Sequence, residues 1–510
     1  MNSRVNIKEA KQEVINTVRA YLKKDDTGAY EIPPEKQRPI LLMGPPGIGK
    51  TAIMEQVARE CGISLISYTI THHTRQSAIG LPYISQKEFG GEEHAVTEYT
   101  MSEIVASVYD QIEASGIREG ILFLDEINCV SETLAPTMLQ FLQYKMFGNH
   151  KVPEGFLIVT AGNPPQYNKS VRDFDIVTLD RVKRIDIEED FPVWKEYAYQ
   201  AGIHGAILSY LEIKKKDFYS VRTQIDGKQF VTARGWEDLS RIIKVYEELG
   251  IEVTERLCVQ YLQDPEIAAS FASYYELYCR YRELYRIPEI LEGAIPEESS
   301  ALREAPFDEK LSILGLLIDS LNQEFKAYAE NLAVQERLLG ELKKIRAALG
   351  TDEGAERGAR YLLAGRRMFC EEEISRLRRA RMLDREGERV ERKVCTRLAG
   401  MEKILALGEK REPRYDFSLL KQTFDLSEKK RQEEIETADK HLTNSLLFLS
   451  STFGEGQEIV LFLSELAAGY YSLKFVNECG NDAYYRYNRL LLLKDRKEAL
   501  QQEALKLMDM

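Results

Sequence analysis

The sequence predicts three domains: an α/β domain with a parallel sheet, then a small and mostly helical domain, then an all-helical C-terminal domain. In residues 1–190, short apolar runs alternate with amphipathic patterns, which is typical of a parallel sheet covered by helices. In residues 191–252 the pattern becomes helical, with one polar hairpin at 220–230. In residues 253–510 long charged helices dominate and strand signals almost disappear, with a candidate hinge at 288–306.

Helices and strands follow each other in turn along the first domain. Helices are predicted where apolar residues return every three or four positions, and strands where aliphatic or β-branched residues form a short run. Residues 72–98 are Gly-rich and polar, so they are predicted to form an exposed insertion. The predicted helices are 5–22, 51–61, 101–115 and 131–143, and the predicted strands are 40–43, 63–70, 121–124 and 156–160.

Helical spacing also organises the rest of the chain. Three helices are predicted in the second domain, at 192–201, 204–211 and 234–249. In the third domain, apolar residues spaced by three, four or seven positions predict a helical bundle or a short coiled coil. These residues are Ile318, Leu321, Phe325, Tyr328, Leu332, Leu339 and Leu342.

At 510 residues the chain exceeds what one hydrophobic core usually organises, so two or three domains are expected. Because 44% of the residues are hydrophobic, they are enough to form buried cores, which indicates a globular protein. The net charge of −13 argues against binding nucleic acid by bulk neutralisation of phosphates, although a local basic groove stays open. The seven cysteines are scattered singly, which indicates buried free thiols in a reducing compartment. We see neither a signal-peptide pattern nor an apolar run of membrane length, so the expected location is the cytoplasm.

A glycine-rich loop follows the predicted strand at 40–43. Its spacing, G-x-x-x-x-G-K-[ST], is that of a phosphate-binding loop, in which backbone N–H groups converge on phosphate oxygens at the start of a helix. Lys50 is expected to neutralise the β- and γ-phosphates, and the Thr51 hydroxyl to bind Mg²⁺. The alternative is a glycine-rich turn without a ligand. The loop consists of Gly44, Pro45, Pro46, Gly47, Ile48, Gly49, Lys50 and Thr51.

Two acids follow the apolar run at 121–124, where a buried parallel strand is expected to end. Asp125 is suited to hold Mg²⁺ through water together with Thr51, and Glu126 is suited to polarise an attacking water. This pair predicts a hydrolase; the alternative is that both acids merely end a strand. Asn163, after the next strand, is suited to bond the γ-phosphate or the water, or else belongs to an ordinary Asn-Pro turn.

Five motifs stand in the order and at the distances of an AAA+ ATPase: GPPGIGKT, ILFLDEIN, TAGNPP, LDRVKR and TARGW. Their wording resembles the MoxR branch most, and the similarity spans approximately residues 5–250. The resemblance implies an α/β P-loop NTPase core with a small helical lid, using ATP and Mg²⁺. In that family Asp125 and Glu126 correspond to the Walker B motif and Asn163 to sensor 1, which agrees with the roles derived from the residues.

The same resemblance implies two functional arginines. Arg181 in LDR matches the arginine finger best, with Arg184 and Arg172 as further candidates, and Arg234 in TARGW matches the sensor 2 arginine. A finger stabilises charge on the γ-phosphate, and in this family the neighbouring subunit supplies it, so the resemblance implies a hexameric ring of identical chains. The alternative for Arg181 is a surface salt bridge with Asp180 or Asp186.

MoxR-like ATPases use hydrolysis to remodel partner proteins, commonly proteins with a von Willebrand factor A domain, so the resemblance implies such a partner. The segments 72–98 and 148–155 resemble family insertions that face the ring or its pore. The helical C-terminal half departs from a minimal MoxR protein.

One alternative function is that of a nucleic-acid-linked AAA+ motor or a GTP-using relative whose C-terminal helices bind DNA. Another is a nucleotide-gated scaffold in which ATP binding, not turnover, controls assembly.

Two further features receive no catalytic role. His72 and His73 are adjacent, without an acid or cysteine at helical spacing, so an exposed loop is favoured over a metal site. An arginine-rich run alternates with acids, which favours a solvated, ion-paired helix face over a site for an acidic partner or nucleic acid. The run consists of Arg376, Arg378, Arg379, Arg381 and Arg385.

Overall fold

The computed structural model describes residues 4–72, 78, 80–167, 174, 176–224, 227–296, 299–407, 413–454 and 456–489. The chain divides into two compact units. Residues 1–193 and 367–392 form the first unit, and residues 194–366 and 393–510 form the second. The first unit contains a parallel sheet and the described part of the second is helical apart from one hairpin, as the sequence predicts. A separate lid ending at residue 252 stays a prediction.

A six-stranded parallel sheet forms the centre of the first unit. The strands of this unit are β1 (Arg4–Val5), β2 (Ile40–Met43), β3 (Ser64–Thr69), β4 (Pro82–Phe89), β5 (Glu92–Tyr99), β6 (Gly120–Asp125), β7 (Met146–Phe147), β8 (His150–Lys151), β9 (Phe156–Gly162) and β10 (Lys183–Ile187). The sheet order is β1-β10-β2-β9-β6-β3. Because parallel strands end at the same edge, β2, β6 and β9 bring the loop 44–51, Asp125 and Asn163 to one edge of the sheet.

Helices complete the first unit. They are α1 (Ile7–Tyr21), α2 (Lys50–Cys61), α3 (Glu103–Ser115), α4 (Ala135–Tyr144) and α5 (Ile176–Leu179). A capping box starts α1, because the Asn6 side chain accepts the N–H of Glu9 at 2.9 Å while the Glu9 carboxylate accepts the N–H of Asn6 at 3.0 Å. Every residue of β2 and β9 is buried, so the apolar runs that predicted these strands are core.

Two antiparallel hairpins extend from the first unit. Strands β4 and β5 pair along their whole length around Gly90 and Gly91, whose φ angles of 65° and 92° suit a two-residue turn. Most residues of this hairpin are exposed, which confirms the predicted exposed insertion for residues 80–98. His73 and the side chain of His72 lie outside the described residues. Strands β7 and β8 form the second, shorter hairpin.

Two strands of the six-stranded sheet were absent from the sequence prediction. Val5 was assigned to the first helix, but it lies in β1 and pairs with Ile187, and α1 begins only at Ile7. Strand β10 pairs with β2 and lies inside the sheet. Its sequence alternates charged residues with the buried Ile185 and Ile187, a period of two that is typical of a strand with one buried face.

The second unit is built from long helices. They are α6 (Phe191–Ala201), which begins in the first unit, α7 (Gly205–Ile213), α8 (Ala233–Leu249), α9 (Glu255–Leu262), α10 (Pro265–Leu284), α11 (Ile287–Leu291), α12 (Ser299–Leu302), α13 (Phe307–Leu349), α14 (Asp352–Arg379), α15 (Arg385–Ala406), α16 (Pro413–Phe453), α17 (Gln457–Ala468) and α18 (Tyr470–Cys479). The hairpin β11 (Ser220–Gln224) and β12 (Gly227–Val231) matches the predicted one. Helix α13 packs against α7, α10, α16, α17 and α18, so it is the central helix of this unit.

Residues 367–392, at the end of α14 and the start of α15, return to the first unit. Gln111 Nε2 on α3 donates to the carbonyl of Arg379 at 3.1 Å. Arg59 Nη2 on α2 lies 3.5 Å from Asp384 Oδ2. The helix that begins with the glycine-rich loop therefore contacts a segment from the C-terminal half of the chain.

The arginine-rich run lies in this returning segment and forms ion pairs. Arg376 lies 3.7 Å from Glu373, and Arg378 lies 3.8 Å from Glu388. Both arginines are more than half exposed. The predicted ion-paired face is therefore confirmed for these two residues.

All seven cysteines are thiols outside disulfide bonds, as predicted. Only Cys258, Cys370 and Cys395 are buried, and Cys479 is exposed, so the predicted burial is wrong for the other four. Among the helices that the structure describes, none is by itself long and apolar enough to cross a membrane. Helices α17 and α18 reach that length and apolarity only as a pair bent by 90°.

A buried carboxylate ties α13 to α14 in the helical unit. The Glu341 side chain is 0% exposed and accepts hydrogen bonds from three cations: Arg337, Lys344 and Arg366. Burial opposes ionisation, but the three hydrogen bonds outweigh it and lower the pKa of Glu341 to about 2. Because this pKa lies below the ordinary value of 4.5, the ionised group stabilises the fold above pH 4.5. That stabilisation is lost as the pH falls towards 2.

Glu341→Gln is expected to lower the free energy of unfolding by about 3–5 kcal/mol at pH 7, since it leaves three buried or half-buried cations without their carboxylate. Urea unfolding followed by circular dichroism measures this loss. The difference from the unmodified chain should shrink as the pH falls from 4.5 towards 2. Glu276→Gln is the matched control, because its pair with Arg280 is exposed and is expected to contribute less than about 0.5 kcal/mol. Equal losses in both variants would contradict the prediction.

Candidate functional site

The loop 44–51 joins β2 to α2, and its glycines meet two different demands. Gly47 and Gly49 have φ angles of 75° and 96°, a left-handed conformation that strains other residues. Gly44 lies against β10: a Cβ at this position would be 2.8 Å from the carbonyl oxygen of Ile187. The loop is therefore a tight turn at the N-terminus of a helix, where backbone N–H groups suit an anion.

Lys50 is the first residue of α2, and it is only 8% exposed. Its ammonium group donates to three oxygens: the carbonyls of Gly44 at 2.8 Å and Pro45 at 2.7 Å, and Asn163 Oδ1 at 2.9 Å. The last contact joins residues 113 positions apart. The structure thus brings the predicted sensor residue to the predicted phosphate site, where a buried cation suits phosphate oxygens.

Thr51 and Asp125 meet across the edge of the sheet. Thr51 Oγ1 donates to Asp125 Oδ2 at 3.0 Å. Within the described ranges, no three His, Cys, Asp or Glu side chains lie together so that they could hold a metal ion. Mg²⁺ in nucleotide sites uses one or two protein oxygens and completes its shell with phosphate and water. The hydroxyl and the carboxylate therefore fit Mg²⁺ that arrives on a nucleotide.

Glu126 has a strained backbone. Its φ of 57° and ψ of 36° lie in the left-handed region, which costs a non-glycine residue about 1–3 kcal/mol. The residue follows β6 and precedes the short turn Ile127–Cys129, while its N–H donates to Asp125 Oδ1 at 2.9 Å. The half-buried side chain therefore stays at the sheet edge beside Asp125. Strain at this place favours a functional role over a plain strand end.

Asn128 belongs to the same site, although the sequence pattern did not single it out. It is 3% exposed, and its Nδ2 donates to the backbone carbonyl of Asn163 at 2.8 Å. Its Oδ1 is buried and has no hydrogen-bond partner among the described groups, which costs about 1–3 kcal/mol. The available signal was its position two residues after Glu126, where a polar amide follows a buried strand.

The candidate finger arginines lie elsewhere on the first unit. Arg181 is exposed and donates to Gln143 Oε1, whereas Arg184 forms a two-nitrogen contact with Asp186, at 2.8 and 3.0 Å. Asp186, one of the two aspartates expected as an alternative partner of Arg181, therefore pairs with Arg184 instead. Arg172 lies outside the described residues.

Arg234 belongs to the second unit. It is exposed in the first turn of α8, after the N-cap Thr232, whose side chain accepts the N–H of Gly235 at 3.3 Å.

Of the predicted site residues, the structure brings Lys50 into contact with Asn163 and Thr51 into contact with Asp125, and Glu126 is next to Asp125. Among the described contacts of the first unit, Arg181 and Arg184 are not part of this cluster.

The sheet region also matches a known family. Residues 40–185 match the sequence model of the "ATPase family associated with various cellular activities (AAA)". Residues 40–185 form an AAA domain. The loop 44–51 and the residues Asp125, Glu126 and Asn163 all lie within this AAA domain.

Replication proteins are among the distant relatives. The chain is 24% identical over 239 residues to the replication factor C large subunit of Pyrococcus abyssi (strain GE5 / Orsay), which covers 47% of this chain and 43% of that protein. It is 25% identical over 244 residues to the same subunit of Pyrobaculum aerophilum, covering 46% and 50%. The chain thus spans about half the length of the curated relatives that it matches.

One solved structure, a protein from Cytophaga hutchinsonii ATCC 33406 assigned as an ATPase, is 15% identical and superimposes with a TM-score of 0.22. The superposition covers 37% of this chain and 48% of that chain. At this TM-score it supports no conclusion. The AAA domain therefore rests on the family match and on the parallel sheet that carries its motifs.

Proposed function

We propose that the AAA domain binds ATP with Mg²⁺ and hydrolyses its terminal phosphoanhydride bond. One observation carries the proposal: at a single sheet edge, Lys50 lies 2.9 Å from Asn163 and Thr51 lies 3.0 Å from Asp125. A cation, an amide, a hydroxyl and a carboxylate in this arrangement match the charges of a bound triphosphate and its metal.

Each side chain has one task in the proposed reaction. Lys50 binds the β- and γ-phosphate oxygens, while Thr51 and Asp125 hold Mg²⁺, which neutralises phosphate charge when it is bound. Glu126 orients the attacking water and accepts its proton. Because Asn163 Oδ1 faces Lys50, its amide nitrogen is left to donate to the water or to the γ-phosphate.

We further propose that a neighbouring copy completes the site in a hexameric ring. Arg181 is exposed and follows two exposed apolar residues, Ile176 at 85% and Val177 at 57% exposure. An exposed arginine beside exposed apolar side chains suits a subunit interface, where the guanidinium group reaches the γ-phosphate of the next subunit. Arg234 takes the sensor 2 role in this proposal, since an exposed arginine at a helix start can contact phosphate.

The proposed work of the ring is the remodelling of a partner protein in the manner of MoxR-like ATPases, with a von Willebrand factor A domain as the expected partner class. Both segments that resemble ring-facing insertions overlap a β-hairpin, and exposed hairpins suit contact with a partner. The longer hairpin is acidic and apolar, and such a surface suits a protein better than a nucleic-acid backbone. The residues concerned are Glu88, Glu92, Glu93 and Glu98, together with the exposed Ile84 and Phe89.

A second candidate is a nucleic-acid-linked AAA+ motor, or a GTP-using relative. The observation that favours it is the similarity to replication factor C large subunits. The basic side chains on the short hairpin β7–β8 are His150 and Lys151, so these two are the first candidates for phosphate contact.

ATPase measurements on the full chain test the ring. Turnover should require Mg²⁺ and should be faster with ATP than with GTP. The turnover rate per chain should rise with protein concentration, because subunits assemble at higher concentration. Arg181→Ala should lower turnover, and mixing it with Lys50→Ala should restore part of it, because each variant supplies the group that the other lacks. Arg184→Ala tests the other described finger candidate, and Arg280→Ala, an exposed arginine of the helical unit, is the control. Turnover that depends neither on concentration nor on Arg181 would contradict the ring.

Capture experiments separate the two candidate functions. Glu126→Gln should hold ATP and retain a partner protein with a von Willebrand factor A domain, while DNA binding stays weak. DNA binding that is tight, falls steeply with salt and is lost in Lys151→Glu would instead favour the nucleic-acid motor.

A further inference from the structure

Asn128 connects the two chain segments that carry the proposed catalytic groups. Strands β6 and β9 pair side by side, and their last ladder pair joins Leu124 to Thr160. Beyond this pair the first segment turns at Glu126 and the second continues to Asn163. The Asn128 Nδ2 bridges them there, at 2.8 Å from the carbonyl oxygen of Asn163. A side-chain hydrogen bond thus links the strands where the ladder has ended.

The surroundings of Asn128 are shaped to accept it. A Cβ on Gly162 would lie 2.6 Å from Asn128 Oδ1 and 2.9 Å from its Cγ, so only glycine leaves room for the amide. The Asn163 carbonyl sets the amide orientation, because a rotated amide would bring two oxygens together. Asn128 Oδ1 is then left buried without a hydrogen-bond partner among the described groups. A buried polar group that is kept despite this cost favours function over packing.

We propose that Asn128 is a positioning residue for hydrolysis, which fixes the Asn163 amide relative to Glu126. This role rests on the proposed ATP hydrolysis. The Asn163 side chain contacts Lys50 while its main chain is held by Asn128, so the residue is fixed at both ends. The Cys129 N–H donates to the Glu126 carbonyl at 2.9 Å, which closes the turn between Glu126 and Asn128. Water between Glu126 and Asn163 is thereby held in one geometry.

Asn128→Asp tests the role in the full-length chain. Aspartate has nearly the same shape, but as a carboxylate it cannot donate to the Asn163 carbonyl. We expect kcat for ATP to fall by about 10- to 100-fold, while KM changes by less than about threefold, because the phosphate loop is untouched. Asn128→Ala removes the same donor without adding charge and replaces Asn128→Asp if that variant does not fold.

A double-mutant cycle separates positioning from general destabilisation. In the Asn163→Ala chain the backbone carbonyl remains, but there is no sensor amide left to position. Asn128→Asp should therefore change kcat by less than about twofold in that background. If Asn128→Asp lowers kcat by a similar factor in both backgrounds, the proposal is overturned. Such a result would mean that the substitution causes a general structural defect that acts independently of the Asn163 amide. An unchanged kcat in the single variant would overturn it as well.

Asn444→Asp is the matched control. Asn444 Nδ2 also donates to a backbone carbonyl, that of Leu291 at 2.7 Å, and the amide also faces a glycine, Gly293. This variant should lose stability without losing kcat. A fall in kcat as large as that of Asn128→Asp would overturn the proposal. If the unmodified chain hydrolyses ATP and Asn128→Asp leaves kcat unchanged, only the positioning role is refuted. If the unmodified chain shows no ATP turnover, the proposed hydrolysis and the positioning role are refuted together.

Discussion

Glu126→Gln is expected to lower kcat for ATP hydrolysis by about 10²- to 10⁴-fold while ATP still binds, because an amide cannot accept the proton of the attacking water. The two side chains have the same shape, so the strained backbone at Glu126 and its contact with Asp125 should persist. Turnover measured by phosphate release, and ATP affinity measured with a fluorescent ATP analogue, separate the two effects.

Glu119→Gln is the matched control for this prediction. Glu119 immediately precedes β6, whereas Glu126 immediately follows it, so the two acids lie at opposite ends of the same strand. Glu119 pairs with Lys24 at 2.6 Å, and loss of that half-exposed pair should change kcat by less than about twofold. Equal kcat values for Glu126→Gln and the unmodified chain would remove Glu126 from the reaction.

Lys50→Ala is expected to weaken ATP binding by about 10²-fold or more and to abolish turnover, because it removes a buried cation from the phosphate loop. It also leaves the carbonyls of Gly44 and Pro45 and the Asn163 side chain without their shared donor. We therefore expect some loss of stability in addition. Titration with the fluorescent ATP analogue and thermal unfolding measure the two effects separately.

Lys145→Ala controls for the loss of a lysine from the same unit. Burial lowers the pKa of Lys145 to about 8, and its Nζ lies 3.3 Å from Gln37 Oε1. Gln37 precedes β2, so Lys145 lies near the opposite edge of the sheet from Lys50. Its loss should change ATP affinity by less than about twofold. Equal effects of the two substitutions would contradict a specific role for Lys50.

The core strands were predicted from local patterns alone. The strand predicted at 40–43 is β2, and the strand predicted at 121–124 is the centre of β6. Aliphatic runs of this length, bounded by glycines or acids, suit a buried strand because both faces of the strand need apolar side chains. The apolar run also placed Asp125 at the end of its strand, whereas the spacing of the glycine-rich motif placed Lys50 at the start of the helix that follows β2.

Other parts of the fold depend on pairing between distant segments. Strand β10 alternates charged and apolar residues, and its place beside β2 is set by a partner about 140 positions earlier in the chain. The return of residues 367–392 to the first unit is likewise absent from local periodicity. The alternating charges in this segment predict an ion-paired helix face in either case, so they do not reveal that the segment contacts α2 and α3.

The sequence by itself determined the α/β core, the helical C-terminal half and the glycine-rich loop 44–51, because each is encoded by periodicity or spacing within a few turns of chain. Only the tertiary structure decided that Lys50 contacts Asn163 and that Asn128 holds the same residue. These contacts arise because β9 lies between β2 and β6, a strand order that short-range patterns do not contain.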